Sequence, residues 1–210
     1  MTNDGSNWFF SSVDQDKTTG RIWRIPKSVP LADNVSGYPG VKNVRYENVP
    51  ALSALGYWHW GDLDHARFEG EDYLLVPITG STAMVACFRA DDLSYVNFGW
   101  LDGNATAGWC AVGVDSCLYS SLDDPSALAQ YKVDWSRLVH TSDHDSIFQF
   151  LQPISLTFLP GFDPGLSDLQ GGEGVFAKRR DALPGFGPGL LLLEWSTVVS
   201  TRWYPRYRNA

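Results

Sequence analysis

An all-β fold is what this sequence predicts, and three observations carry it. Glycine and proline, 20 and 12 of the 210 residues, punctuate the chain at close intervals. Few windows hold apolar residues at a 3.6-residue period for three turns, which argues against long amphipathic helices. Short runs rich in β-branched and aromatic residues lie instead between clusters of turn formers, and these runs come in pairs that recur along the chain.

The first pair is residues 7–12 (NWFFSS) and 21–26 (RIWRIP). RIWRIP alternates a basic or polar residue with an apolar one, as a half-buried strand does. DQDKTTG between the two is turn chemistry, so they read as a hairpin. The second pair is 72–77 (DYLLVP) and 83–88 (AMVACF), joined through TGST. The third is 116–121 (SCLYSS) and 128–133 (LAQYKV), across a turn holding Asp123, Asp124 and Pro125. The fourth is 174–178 (GVFAK) and 190–195 (LLLLEW), across a loop rich in Gly and Pro.

Three of the pairs follow another short candidate strand: residues 57–64, 108–114 (GWCAVGV) and 168–172 (DLQGG). Each unit is then a meander of three or four strands. The offset from Leu75 to Tyr119 is 44 residues, within the roughly 40–45 residues of a four-stranded propeller blade. Blades stack because a lone twisted sheet cannot bury both of its faces. The expectation is one domain over residues 1–210, β-propeller-like, with about four to five blades at about 42 residues each. Such a small ring closes tightly, stays open, or completes itself by pairing with a second copy. The alternative is an irregular β-sandwich. Residues 126–138 have a helix-compatible composition, but Val133 and the WSRL turn favour strand. Residues 159–172 read as a long loop.

Sixteen basic against twenty-four acidic residues give a net charge of −8, which repels a phosphate backbone, so nucleic acid is not an expected partner. Arg202, Arg206 and Arg208 near the end read as a solvated edge. An apolar run such as Leu190 to Leu193 is far too short to cross a bilayer, and no membrane association is expected. Cys87, Cys110 and Cys117 form an odd set, compatible with a reducing compartment, although Cys110 and Cys117 could meet across a turn. The start, MTNDGSNWFF, has no basic region followed by an apolar one. Cytoplasmic localisation is expected, or secretion after loss of a leader.

The densest cluster of ligand-type side chains is YWHWGDLDHARF, residues 57–68. Asp62 and Asp64 are two apart and share one side of a strand, as two oxygen ligands of a hard cation would. His59 adds a nitrogen suited to Zn, Mn or Fe. His59, Asp62 and Asp64 are the candidate catalytic and metal-binding residues, for a divalent Ca, Mn or Zn ion. Tyr57, Trp58, Trp60 and Trp109 would wall an apolar or sugar-like ligand, with Cys110, Asp168 and Gln170 contributed by other units. The competing reading is a hydrogen-bond tether between blades, with Gly61 permitting a tight turn. His65 reads as surface. In HTSDHD, residues 140–145, His140 and His144 are four apart, a metal spacing on a helix, but the flanking residues favour a solvated loop. There is no P-loop and no G-x-G-x-x-G, so no nucleotide cofactor is expected. Ser120, Ser121 and Cys110 lack a nucleophile elbow.

The segment HWGDLDHARFEGEDYLLVPI resembles the His-x-Gly-Asp-x-Asp, then Tyr-x-x-Pro, signature of a group of uncharacterised bacterial and fungal β-propeller proteins. The likeness continues through FRADDLSYV, GWCAV followed by LYSS, QYKVDW, and LQGG followed by VF, from Asn7 to Leu193. It implies a fold and no activity. WSTVVSTRWYPRYRNA departs from it where the last blade is expected.

Two functional classes follow. One is an enzyme-like small-molecule site in a propeller channel, with a metal polarising a carbonyl or activating water for ester or lactone hydrolysis. The other is a non-catalytic module that binds a carbohydrate or a protein through aromatic side chains. A third reading is an assembly protein that forms a homo-oligomer.

Overall fold

Among the described residues three antiparallel sheets follow one another, each assembled from consecutive strands, and none is closed on itself. The computed structural model describes residues 1–155 except 15–17, 32–33, 105–106 and 123–126. The fourth strand pair, the 159–172 loop, Asp168, Gln170 and the terminal arginines therefore lie outside the described residues, as does the turn at Asp123, Asp124 and Pro125.

Sheet one runs in the order β1 (Thr2–Asn3), β2 (Asn7–Val13), β3 (Gly20–Pro26) and β4 (Lys42–Arg45). The Asp4 side chain accepts bonds from the Ser6 and Asn7 amides, at 2.8 and 2.7 Å, and so builds the turn between β1 and β2. A 3-10 turn (Tyr46–Asn48) and the short helix α1 (Pro50–Ser53), with Pro at its start, lead to sheet two. There β5 (His59–Trp60) and β6 (Asp64–Phe68) both pair with β7 (Glu71–Thr79), which is followed by β8 (Met84–Arg89) and β9 (Tyr95–Trp100). Sheet three is β10 (Cys110–Val112), β11 (Cys117–Ser121), β12 (Ala127–Val133) and β13 (Phe148–Ser155). Between β12 and β13 stands α2 (Trp135–His140).

Sheet two is the middle layer, and the alternation of side chains on β7 explains why. Leu74, Val76 and Ile78 join one core cluster with Phe9 and Ile22 of sheet one. Tyr73 and Leu75 join the other, with Leu118, Ala129 and Tyr131 of sheet three. A strand buried on both sides must be apolar at odd and even positions alike, which is the composition of DYLLVP.

The helix reading rejected for residues 126–138 holds in part. β12 ends at Val133, and WSRLVH then forms α2, because Asp134 caps it by accepting the Arg137 amide at 2.9 Å. The candidate strand at 57–64 is also not continuous: it divides into β5 and β6 around Gly61.

Candidate functional site

Gly61 marks the seam between sheets two and three. Its amide donates to the Pro77 carbonyl at 2.8 Å, and the next amide, of Asp62, donates to Gly108 O at 2.9 Å. The Cys110 amide returns a bond to Asp62 O, so Asp62 and Trp109 form a parallel bridge. A Cβ on residue 61 would lie 2.3 Å from Gly108 O, an approach only glycine allows.

Beyond this seam β6 begins at Asp64, whose buried carboxylate touches all three sheets. Oδ1 accepts from Thr2 Oγ1 of β1 at 3.1 Å and from the His65 amide of β6 at 2.8 Å. Oδ2 accepts from the Val112 amide of β10 at 2.8 Å. Burial raises its pKa, and the three hydrogen bonds only partly offset that. Asp62, half-buried, forms an ion pair with the amino group of Met1. Both carboxylates thus meet the first residues of the chain, Asp62 at Met1 and Asp64 at Thr2.

His59 is exposed and stacks on half-buried Trp58, ring centroids 5.3 Å apart and planes 12° from parallel. Among the described residues no three His, Cys, Asp or Glu side chains are grouped to hold a metal ion. His59, Asp62 and Asp64 thus do not assemble into a ligand set. The physical reason is that Asp64 turns inward to three protein donors while His59 turns outward to solvent.

The expected ligand wall is mostly core. Tyr57, Trp60, Trp109 and Cys110 are all buried. The Trp60 indole donates to Tyr57 O at 3.1 Å, and Cys110 Sγ donates to Leu75 O at 3.4 Å. Burial pushes the Cys110 thiol well above its ordinary pKa, which removes it as a nucleophile. Cys87, Cys110 and Cys117 are all free, and Cys110 lies opposite Ser120 rather than Cys117. Ser120 and Ser121 are buried and serve the backbone, donating to Trp109 O and accepting from the Gly108 amide.

His65 is not a surface residue. It is half-buried, lies parallel to Phe9 and bonds Asp72 Oδ1 at 3.0 Å. His140 and His144 diverge, because only His140 belongs to α2. His140 meets Glu69 at 2.9 Å, while His144 stacks on Phe98 and donates from Nδ1 to Asn97 Oδ1 at 2.8 Å.

Sequence reasoning did not find the partners of Asp64. Thr2 and Val112 stand 62 and 48 residues away, and nothing in their identity signals a role, since Val112 contributes only its amide. Comparison with known proteins returns no matching family model, no matching curated protein and no matching solved structure.

Proposed function

We propose that this chain is a non-catalytic carbohydrate-binding module built on a β-propeller-like scaffold. The observation that carries the reading is the employment of Asp64. A carboxylate accepting three internal hydrogen bonds, one from each sheet, has little capacity left for a metal or for proton transfer, whereas a tether needs that arrangement. Asp62 is likewise engaged by the Met1 amino group. This favours the binding module over metal-assisted ester or lactone hydrolysis, because it removes Asp64 from the three residues on which hydrolysis depended. The propeller reading is supported by the sequential order of strands in sheets one and three and by the parallel bridge between Asp62 and Trp109, near which β6 approaches β10.

Aromatic side chains outside the core are the remaining recognition groups. The test is glycan binding by calorimetry alongside elemental analysis, on the unmodified protein and on His59→Ala and Asp62→Ala. Binding retained in both variants, with no stoichiometric metal in protein never exposed to chelator, is the expected result. A bound metal lost with either substitution would return the hydrolytic reading to first place.

A further inference from the structure

Sheet one has a second face, turned away from Phe9 and Ile22 of the core. The register of β2 on β3 sets Trp8 opposite Ile25, Phe10 opposite Trp23 and Ser12 opposite Arg21, and β4 adds Arg45 opposite Arg21. Directly opposed residues share a side of a sheet, so these belong together. Trp8, Phe10 and Trp23 are half-buried and, among the described residues, belong to none of the core clusters. Cations lie over two of the rings: Lys27 Nζ is 4.5 Å from the centre of Trp8, and the Arg21 guanidinium is 5.2 Å from that of Trp23. Asp14 bonds both Arg21 and Arg45, at 3.0 and 3.1 Å, and so holds two guanidinium groups side by side at one end of the aromatic row. Exposed Lys27 stands at the other end, its ammonium bonded to Asn3 Oδ1 at 2.8 Å rather than to a carboxylate.

We infer that this face binds an acidic glycan, a chain of pyranose rings bearing carboxylates. The inference rests on the carbohydrate-binding reading above and adds to it the surface and the ligand class. Pyranose C–H faces pack on aromatic rings, and carboxylates pair with ammonium and guanidinium groups. Charge complementarity selects the acidic class. The chain as a whole carries a net charge of −8, while this face offers Arg21, Lys27 and Arg45 against Asp14 and Glu47, the latter 3.6 Å from Arg45, and so keeps a local positive excess centred on Lys27. An acidic polymer is repelled from most of the surface and admitted here, which restricts where and how it binds.

The test is calorimetric titration of the 210-residue protein with oligogalacturonate and with a neutral β-glucan oligosaccharide, at low and at raised ionic strength. Oligogalacturonate is expected to bind, to weaken with salt, and to lose at least tenfold in affinity in Trp23→Ala and in Lys27→Glu. Because Lys27 is exposed, its substitution leaves the fold intact and keeps the test decisive should Trp23→Ala unfold, with circular dichroism as the check. Binding of the neutral oligosaccharide as tightly as the acidic one would overturn the acidic class and leave the carbohydrate reading standing. Acidic binding unchanged in Lys27→Glu would move the site elsewhere and overturn the surface. Binding of neither sugar would overturn the inference and the reading together.

Discussion

The carboxylate of Asp64 and the backbone amide of Val112 meet at 2.8 Å across 48 residues of sequence, and that bond joins β6 of sheet two to β10 of sheet three. The same side chain reaches Thr2 in sheet one. Removing it leaves the Val112 amide, the His65 amide and the Thr2 hydroxyl without their acceptor in a buried seam. Asp64→Ala should cost about 2–4 kcal/mol, the summed penalty of orphaning more than one buried donor. Urea unfolding followed by tryptophan fluorescence measures it. A loss below about 0.5 kcal/mol, the range of neutral surface changes, would mean that the seam does not depend on this residue.

Asp64 and Asp4 should titrate on opposite sides of an ordinary aspartate. Burial raises Asp64 despite its hydrogen bonds. Burial also acts on Asp4, but bonds from Asn7 and Ser6 outweigh it and hold that carboxyl low. The raised group binds its proton more tightly in the folded protein. Its contribution to stability is therefore fully present below the unfolded pKa of about 3.9 and is lost as pH rises through the folded value. The lowered group does the reverse: its contribution is present above the unfolded pKa and is lost as pH falls through the folded value. Carboxyl carbon NMR titration resolves the two midpoints, and coincident midpoints would contradict both environments.

How far the sequence could be read depended on burial. β7 and β8 were legible because sheet two is packed on both sides, so their apolar residues run together within turn signals. β4, with residues KNVR exposed or half-exposed, has no apolar pattern to detect and exists through its pairing with β3. α2 was misjudged because Trp, Ser and Val are mediocre helix formers, although Asp134 three residues before Arg137 was a cap signal in plain view. For the site, the clustering of Asp62 and Asp64 was visible in the sequence, but their partners, the Met1 amino group and the three donors to Asp64, were not. The direction in which His59 points was not legible, because the break at Gly61 is set by the approach of Gly108, a contact across 47 residues that no local pattern encodes.

Gly61 and Gly37 should respond differently to the same substitution. A methyl group at position 61 meets the Gly108 carbonyl, a rigid backbone atom, whereas at position 37 nothing lies within 4 Å. Gly61→Ala is expected to destabilise by about 2–3 kcal/mol, the cost of overpacking a tight contact. Gly37→Ala should stay within about 0.5 kcal/mol of the parent. Paired thermal melts compare them directly, and equal melting temperatures would remove the close approach of the two sheets at Gly61 as a constraint.

The alkaline limit of stability should be set in part by Tyr95 and Tyr131. Burial pushes each phenol up to about 12. Their folded pKa values exceed the unfolded value of about 10, so the stability they contribute is complete below that value and is lost as pH climbs through the folded one. Absorbance at the phenolate wavelength should show part of the tyrosine signal appearing late and in step with loss of near-ultraviolet circular dichroism. Full ionisation of every tyrosine near pH 10 with the fold intact is the outcome that excludes this.

Asn97 holds the segment that follows α2. Buried in β9, it donates from Nδ2 to the carbonyls of Thr141 and Asp143, at 3.0 and 3.1 Å, and accepts the His144 ring proton at Oδ1. One amide side chain thereby satisfies three groups of a loop rich in Ser, Asp and His, and His144 is drawn onto Phe98 at a ring distance of 3.9 Å. Asn97→Ala removes all three bonds while leaving the backbone pairing of β9 available. The expected cost is about 1–3 kcal/mol. Hydrogen exchange should accelerate at residues 141–146 and remain slow in β7 and β8, whose amides open only with the global fold. Uniform acceleration across sheet two would instead mean that Asn97 supports the core directly, and the loop would then be a consequence of that support rather than its purpose.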